Sequence, residues 1–484
     1  MYLGFLTENP QQLFTRHKSC LIRKQRSEEK FECRKVDLAL LLLLPMRKFI
    51  SITDVAPDFE ARLLAFAAQR EVACVLRSNR ALFSTTDIYS RFEWCVAIDA
   101  VEEMYGGTSA FESVKEFHSS KKDWLFGFLT YDLKNEIENL KSENHDGLDF
   151  PALHFFQPKY IFLKDEGGLQ LGIWEGNDDK TPVNKLIADI EASQINDDNE
   201  MNVAVRPRVS REDYLKNISE IKRHIQQGDI YEMNYCVEFF AENVTVSPVT
   251  IYEKLTEISP MPFSCYYKNN DMHLVCASPE RFVAGRGKKI ISQPIKGTAK
   301  RGRTDAEDEQ QILKLRNDEK ERSENVMIVD LVRNDLSKTA ARGSVKVEEL
   351  FGIYSFRQLH QMISTVVSEK RDDVHWTDVI RNAFPMGSMT GAPKIRAMQL
   401  IEEFETTKRG LYSGAVGYVT PSGDFDFNVI IRSILYNQTK EYLSFMAGSA
   451  ITINSNPEKE YEECLLKAGS MMQALMNDKH EKIS

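Results

Sequence analysis

Residues 210–240, SREDYLKNISEIKRHIQQGDIYEMNYCVEFF, carry the clearest fold signal in the chain. Ser210 is a residue type that caps helices, and Gly228 is one that ends them. Between them, apolar side chains recur every three or four residues, at Tyr214, Ile218, Ile221 and Ile225. Ile230–Phe240 then has the composition of a β-strand. The segment therefore predicts an amphipathic helix followed at once by a strand.

Further strand-like segments occur on both sides of this stretch, with few helices placed regularly between them. The predicted strands are Val72–Leu76, Trp124–Thr130, Tyr160–Leu163, Met272–Ala277, Lys289–Ile295, Gly414–Val419 and Leu443–Ala447. The predicted helices are Asp58–Gln69, 304–335, 375–383, 393–404 and 458–476. This irregular order favours an α+β protein, with antiparallel sheets flanked by helices, over a doubly wound parallel sheet.

Composition limits the class of protein. The chain has 484 residues, which suggests about three units, although one large domain is also allowed. Its 62 Lys and Arg against 72 Asp and Glu give a net charge of −10, which argues against a nucleic-acid-binding protein. The eight cysteines are scattered with no CxxC, which predicts buried thiols in a reducing cytoplasm. No apolar run reaches the ~18 residues of a membrane span.

Two segments differ in composition from the rest. Residues 1–45 end in the leucine-rich run 38–44 and Pro45, and Met46 resembles a natural start, so we expect 1–45 to be an N-terminal extension that is not native. A targeting segment or an ordinary terminal helix is the alternative. Residues 176–202 are polar and acidic at both ends and are the best candidate for a linker.

Two pairs of carboxylates stand three residues apart on predicted helices. These are Glu321 with Glu324 and Glu460 with Glu463. Such spacing puts both members of a pair on one helix face. Two such faces across a cleft would suit a hard cation such as Mg²⁺, but solvated helix faces explain the same pattern.

Lys296 follows the apolar residues of a predicted strand and precedes Gly297. A lysine at a strand end can act as a nucleophile if its amine is desolvated, and the glycine would permit close approach of a ligand. A surface loop lysine beside Lys300 and Arg301 is the simpler interpretation.

Other candidate residues lie beside turns. Gly387–Lys394 enters a helix and could form an anion-binding cradle, as could Ala447–Ala450 after a strand. Glu280 follows Pro279 at a strand end, where a carboxyl would be held rigidly. Arg432 lies in an apolar stretch expected to be a strand, and its guanidinium needs either an internal carboxylate or a substrate anion.

Taken together, eight motifs resemble the chorismate-utilising enzymes, and specifically their aminodeoxychorismate synthase branch. The resemblance is strong over 205–475, the expected catalytic region, and faint over 46–175. The motifs are 210–234, ASPERF (277–282), PIKGT (294–298), ENVMIVDLVRNDL (324–336), GSVKVEELF (343–351), FPMGSMTGAPKIRAMQLIEE (384–403), LYSGAVGYV (411–419) and EYEECLLKA (460–468). PIKGT resembles this branch, whereas anthranilate synthases typically show PIAGT.

The resemblance implies a fold and a reaction. The fold would be an α/β/β/α sandwich of two antiparallel sheets, with residues 46–200 completing the sheets. The enzyme would convert chorismate and ammonia to 4-amino-4-deoxychorismate on the folate route in the cytoplasm. Ammonia would come from glutamine through a separate amidotransferase subunit, and no nucleic acid or membrane would be involved.

The resemblance also assigns roles to residues. Lys296 would attack C2 of chorismate while Glu280 protonates the departing C4 hydroxyl. Mg²⁺ would be held by Glu324 and Glu463, with Glu321 and Glu460 close behind. The substrate would be bound by the following residues: Gly297, Thr298, Thr390, Gly391, Tyr412, Arg432 and Gly448.

Three positions depart from the family pattern. Glu232 stands where anthranilate synthases tend to have Gln and where isochorismate and salicylate synthases have a water-activating Lys. Gln361 stands where a His is common, with His360 just before it. Ser449 and Ala450 replace one or both glycines of a cradle. The alternatives are an anthranilate synthase component I and a non-catalytic protein that binds chorismate or tryptophan.

Overall fold

The computed structural model describes residues 47–83, 87–175, 182–195 and 201–476. The expected extension, 1–45, lies outside these residues, and so do 176–181 and 196–200 of the expected linker. The strands in the first half are β1 (Arg47–Ile52), β2 (Val72–Arg77), β3 (Trp94–Tyr105), β4 (Leu125–Leu129), β5 (Leu153–Asp165), β6 (Gly168–Trp174), β7 (Arg206–Pro207), β8 (Glu232–Ala241), β9 (Phe263–Asn269) and β10 (Met272–Ser278). Those in the second half are β11 (Arg281–Arg286), β12 (Lys289–Gln293), β13 (Ile295–Lys300), β14 (Lys346–Ser355), β15 (Leu359–Glu369), β16 (Gly391–Ala392), β17 (Ala415–Val419), β18 (Phe425–Asn428), β19 (Ser433–Asn437) and β20 (Tyr442–Ile451).

The described α-helices alternate irregularly with these strands. They are α1 (Phe59–Ala68), α2 (Ala110–Lys121), α3 (Lys134–Glu138), α4 (Val183–Glu191), α5 (Arg211–Gln227), α6 (Pro248–Ile258), α7 (Asp305–Asn317), α8 (Glu319–Ser337), α9 (Trp376–Ala383), α10 (Lys394–Phe404) and α11 (Pro457–Ala474). None of the helices in the described ranges has both the length and the apolar character needed to span a membrane.

All ladders between the described strands are antiparallel and form one continuous network, which divides at β5 into two sheets. The first runs β8-β20-β19-β10-β9-β2-β3-β5-β6-β1. The second runs β5-β4-β17-β18-β11-β12-β15, with β13 and β14 on β15. The first half of β5 pairs with β4 and its second half with β6, so this strand belongs to both sheets.

The alternation of side chains along the strands separates two apolar cores. On β9, Tyr266 is buried in the core beneath helices α1, α5, α6 and α11, whereas Cys265 and Tyr267 are buried in the core shared with the second sheet. Helices α2, α8 and α9 contribute to this second core from the other side. The helix–sheet–sheet–helix arrangement expected from the sequence is confirmed.

Several elements follow their local signals. The Ser210 hydroxyl accepts a hydrogen bond from the backbone N–H of Asp213, at 3.0 Å, and Gly228 ends α5 with φ +84°. Helix α4 lies inside the expected linker 176–202, but its Leu186 and Ile190 are buried in the first core.

Two local predictions are wrong. The helix expected over 304–335 is two helices, α7 and α8, because Asp318 ends the first and its carboxylate caps the N-terminus of the second. Arg432 is not within a strand: it lies between β18 and β19, with φ +49°.

Candidate active site

Lys296 occupies the second position of β13, and its side chain is only 12% exposed. The surface loop interpretation of this lysine is therefore wrong. The next residue, Gly297, has φ +98°, a conformation that favours glycine, and it lets the strand turn directly after the lysine. Lys296 Nζ donates a hydrogen bond of 2.9 Å to Glu232 Oε1.

Carboxylates determine the charge of Lys296. Burial alone lowers the pKa of the amine, but the surrounding negative charges more than offset this effect and raise it above its usual value. The acidic groups responsible are Glu232, Glu324 and Glu280. Lys296 therefore carries a protonated amine in this structure.

Glu232, the first residue of β8, is fully buried, and its Oε2 has no hydrogen-bond partner. Its backbone is held by the two-residue strand β16, in which Ala392 lies opposite Glu232. Gly391 makes this pairing possible, because a Cβ at that position would lie 2.1 Å from the carbonyl oxygen of Glu232. The turn formed by residues 387–394 thus packs against β8, the strand that carries Glu232.

Glu280 lies at the corner between β10 and β11 and is 5% exposed. Burial raises the pKa of this carboxyl to about 7, although the Ser388 hydroxyl, Lys296 and the backbone N–H of Ile295 offset part of the effect. Asn234 Nδ2 donates to the backbone oxygen of Ser388 at 2.8 Å and fixes that turn. An acid with a pKa near 7 is suited to donating a proton at neutral pH.

Two helices present the four carboxylates expected as metal ligands. Glu321 and Glu324 lie on α8, and Glu460 and Glu463 lie on α11. All four act on the amine of Lys320, whose pKa they raise against the opposing effect of burial. The two helix faces therefore lie close enough for all four carboxylates to act on one amine.

Within this group the carboxylates differ. Burial raises the pKa of Glu324 to about 7 and also raises that of Glu321. Burial raises the pKa of Glu463, but the charges of Lys467, Lys320 and Lys296 together more than offset this effect and lower it; Lys467 Nζ lies 2.8 Å from Glu463 Oε1. Glu460 is buried, and its Oε2 accepts a 2.5 Å hydrogen bond from Ser449 Oγ.

The donor set fits Mg²⁺ in chemistry, since hard oxygen ligands are what this cation prefers. Burial raises the pKa of both Glu324 and Glu321 even though Lys320 and Lys296 act on them, with Lys320 Nζ 3.8 Å from Glu324 Oε1, so a further cation would stabilise both carboxylates. In the described part of the chain, no three acidic, His or Cys side chains form an assembled ligand group. The carboxylates are thus gathered in one region without being closed into a cage.

The helix pair contacts the lysine strand directly. Glu321 Oε2 lies 3.3 Å from the place that a Cβ on Gly297 would occupy. Asn325 Nδ2 donates to the backbone oxygen of Lys296 at 3.4 Å and its Oδ1 accepts from Ser364 Oγ at 2.6 Å. The sequence analysis missed Asn325, although a polar residue on the buried face of α8 is a visible signal.

Arg432 has no carboxylate partner among the described residues. Burial lowers its pKa to about 10, and the contact recorded for its guanidinium is Met261 Sδ at 3.9 Å. A half-buried guanidinium with no carboxylate partner among the described residues is suited to an anionic ligand. The sequence left open two partners for Arg432, an internal carboxylate or a substrate anion. No ion pair among the described residues supplies the internal carboxylate.

Within the described ranges, three of the remaining predicted substrate contacts make no hydrogen bond to Lys296. Thr390 Oγ1 donates to the backbone oxygens of Met386 and Gly387, at 3.2 and 3.3 Å, and the Tyr412 hydroxyl lies 3.6 Å from Cys236 Sγ. Thr298 is exposed and lies opposite Gln361 on β15. None of the hydrogen bonds among the described residues joins these three side chains to Lys296.

Gly448 lies where β20 pairs with β8, and a Cβ there would be 2.0 Å from the backbone oxygen of Tyr235. Its carbonyl accepts from Lys467 Nζ at 3.1 Å, so this cradle is linked to the lysine that pairs with Glu463. His360 is held by Ser355 Oγ at 2.8 Å and Asp308 Oδ1 at 2.9 Å.

Comparison with known proteins identifies the family. Residues 78–473 match the model of the chorismate binding enzyme family. The chain belongs to this family, and it is a chorismate-utilising enzyme. The resemblance inferred from the sequence motifs is confirmed.

Individual relatives refine this result only in part. The chain is 33% identical over 369 residues to aminodeoxychorismate synthase component 1 of Bacillus subtilis (strain 168), covering 74% of this chain and 78% of that protein. It is also 33% identical over 373 residues to anthranilate synthase component 1 of Acetivibrio thermocellus, covering 72% and 74%. The crystal structure of anthranilate synthase component I from Streptococcus pneumoniae TIGR4 superposes with a TM-score of 0.69 at 26% identity, covering 80% and 93%. Because both relatives are 33% identical to this chain, sequence identity does not distinguish aminodeoxychorismate synthase from anthranilate synthase.

Proposed function

We propose that this protein is an aminodeoxychorismate synthase component I, which converts chorismate and ammonia to 4-amino-4-deoxychorismate. The observation that carries the proposal is the buried amine of Lys296, which lies among Glu232, Glu280 and Glu324. Anthranilate synthases typically have alanine at this position and cannot form a covalent bond there. The amine of Lys296 places a nucleophile beside Glu280, a carboxyl whose raised pKa suits it to protonate a leaving group.

The proposed reaction has two displacements: Lys296 displaces the C4 hydroxyl, and ammonia then displaces Lys296. The lone pair of Lys296 Nζ forms a bond to ring carbon C2, the ring double bonds shift, and the C4–O bond breaks. Glu280 gives its proton to the departing hydroxyl, which leaves as water. Ammonia then bonds to C4, the double bonds shift back, and Nζ leaves C2. Two displacements place the amino group on the face that the hydroxyl occupied.

Mg²⁺ would be held by Glu324 and Glu463, with Glu321 and Glu460 close by. When bound, the cation would neutralise the ring carboxylate of chorismate among these acidic side chains. Arg432 and Tyr412 would hold the enolpyruvyl carboxylate, helped by the backbone N–H groups around Gly448. Thr298, Thr390, Gly297 and Gly391 would line the remaining wall.

A separate glutamine amidotransferase would supply the ammonia. The name "component 1" of both relatives supports a partner subunit. Free ammonium salt should replace this subunit in a simple assay, because the proposed chemistry uses ammonia and not glutamine.

A product assay tests the proposal. Purified protein with chorismate, MgCl₂ and ammonium chloride should form 4-amino-4-deoxychorismate, and an added aminodeoxychorismate lyase should convert this product to 4-aminobenzoate. Anthranilate with free pyruvate would instead identify an anthranilate synthase. No turnover of chorismate would support the non-catalytic alternative.

The covalent step has its own test. Denaturing mass spectrometry of protein quenched with chorismate should show an adduct that is lost in Lys296→Ala. Lys300→Ala is the matched control, because Lys300 lies on the same strand but is exposed. An adduct of equal yield in Lys296→Ala would contradict the role of Lys296.

A further inference from the structure

The ion pair between Lys296 and Glu232 contains an unresolved problem for catalysis. A nucleophilic lysine must be neutral, yet this amine donates to a fully buried carboxylate at 2.9 Å, which stabilises its charged form. Loss of the proton to solvent would leave the Glu232 charge buried without a partner. A cost of this kind can be avoided only if the proton stays within the pair.

We propose that Glu232 is the base that removes a proton from Lys296 and stores it during the covalent step. The proposal rests on the proposed function, because it assigns the fate of the proton in that same reaction. Two features of Glu232 support it. Its Oε1 already accepts a hydrogen bond from Nζ, and its Oε2 is buried with no partner, so protonation removes a charge that nothing else compensates.

The proton balance closes over one cycle. One Nζ proton passes to the Glu232 carboxylate and gives a neutral amine and a neutral acid. The amine bonds to C2, and the hydroxyl leaves C4 with the proton of Glu280 as water. Ammonia then bonds to C4 while the ring double bonds shift back and the C2–Nζ bond breaks, so that Nζ leaves as a neutral amine. The new ammonium group on C4 returns a proton to Glu280, and Nζ takes back its proton from Glu232.

The other carboxylates around Lys296 are less suited to this task. The acidic groups whose charge acts on Lys296 are Glu280 at the β10–β11 corner, Glu321 and Glu324 on α8, and Glu463 on α11. Among the residues that the structure describes, Glu232 is the one whose oxygen lies within hydrogen-bond distance of Nζ. Glu280 must keep its own proton to release the hydroxyl.

The experiment measures adduct formation in the absence of ammonia, by quenched intact-protein mass spectrometry between pH 6 and pH 8. Wild type and Glu232→Gln are compared at each pH as a ratio of rate constants, which cancels the titration of Glu280 that both share. Glutamine keeps the shape of the side chain but cannot accept the proton. Because Glu324 and Glu280 still act on the amine in this variant, Lys296 must lose its proton to solvent, and the ratio of variant to wild type should fall as the pH is lowered.

Two further variants separate proton transfer from packing. Glu232→Asp keeps a base and should show a rate ratio to wild type that does not depend on pH, even if the rate is lower. Glu238→Gln is the matched control on the same strand, since Glu238 is buried and pairs with Arg208 instead. It should leave the pH dependence of adduct formation unchanged.

The results test the role of Glu232 as the base separately from the proposed function. A Glu232→Gln rate ratio that is constant across pH, whether near 1 or uniformly low, would overturn the role of Glu232 as the base. Failure of the wild-type protein to form an adduct would instead contradict the proposed function itself. The two failures are therefore distinguishable in one data set.

Discussion

Two buried ion pairs contact β8, and they differ in how completely their polar atoms are satisfied. Arg409 and Glu405 are each 1% exposed and are joined by two hydrogen bonds of 2.6 and 2.9 Å. Arg409 also donates to two backbone carbonyls, and Glu405 accepts from the backbone N–H of Cys236. Lys296 and Glu232 share one hydrogen bond, and one carboxylate oxygen has no partner.

The difference separates a structural pair from a reactive one. A pair with every donor and acceptor occupied holds its charges in one state and fixes α10 and the chain after it against β8. A pair with unused capacity can change protonation state without breaking several bonds. The same strand therefore carries both a rigid connection and a site able to move a proton.

The largest effect is expected from breaking the structural pair. Arg409→Met leaves Glu405 as a buried charge without a partner, and the free energy of unfolding should fall by about 3–5 kcal/mol. Chemical denaturation followed by circular dichroism measures this loss. The exposed pair of Arg223 and Glu220 offers a control, because Arg223→Met should change stability by less than about 1 kcal/mol. Equal losses of unfolding free energy in the two variants would show that the Arg409–Glu405 pair stabilises the fold no more than an exposed pair does.

Loss of the acid is expected to affect rate and not stability. Glu280→Gln should slow adduct formation by about 10²–10⁴-fold, because the hydroxyl would leave without a proton donor. In the wild type, the burial-raised pKa near 7 keeps Glu280 protonated below neutrality, so the rate should fall as pH rises through about 7. This decline should be absent in the variant. A wild-type rate that does not fall above pH 7 would contradict the assignment of Glu280 as the acid.

Arg432 offers a smaller effect, on substrate binding. Arg432→Gln should raise the KM for chorismate by about 10–100-fold, because a charge-assisted hydrogen bond contributes about 1.5–3 kcal/mol. The free energy of unfolding of Arg432→Gln should match that of wild type, since no described carboxylate loses its partner. Arg286→Gln is the contrast: Arg286 pairs with Asp426, so that variant should lose stability at unchanged KM. The reverse pattern would place Arg432 among the structural residues.

Much of the fold could be predicted from local sequence because strands and caps have short-range causes. The Ser210 cap, the Gly228 end of α5 and the spacing of the glutamates on α8 and α11 are examples. The break at Asp318 was missed because it lies in the charged run 317–322, NDEKER, which contains no glycine or proline to mark the end of a helix. The strand pairings of β13 and β16 depend on residues distant in sequence, and no local pattern announces them.

The candidate site shows the same division. Motifs indicated Lys296, Glu280 and the helix carboxylates, but the partner of Lys296 was only an unexplained departure from the family pattern. Glu232 and Lys296 are 64 residues apart, and they meet because the fold brings together the first residue of β8 and the second residue of β13, two strands that pair with different neighbours. Asn325 was missed for the same reason, since its partners are a backbone carbonyl on β13 and a hydroxyl on β15.

The smallest effect is expected from removing both charges of the reactive pair. The double variant Lys296→Met, Glu232→Gln should keep the free energy of unfolding within about 1 kcal/mol of wild type, or raise it, while abolishing the adduct. Two buried charges joined by one hydrogen bond recover little of their desolvation cost, so their joint loss is nearly neutral. Chemical denaturation beside Arg409→Met gives the direct comparison. A loss as large as that of Arg409→Met would show that the reactive pair is structural as well, and that its unpartnered oxygen costs the fold nothing.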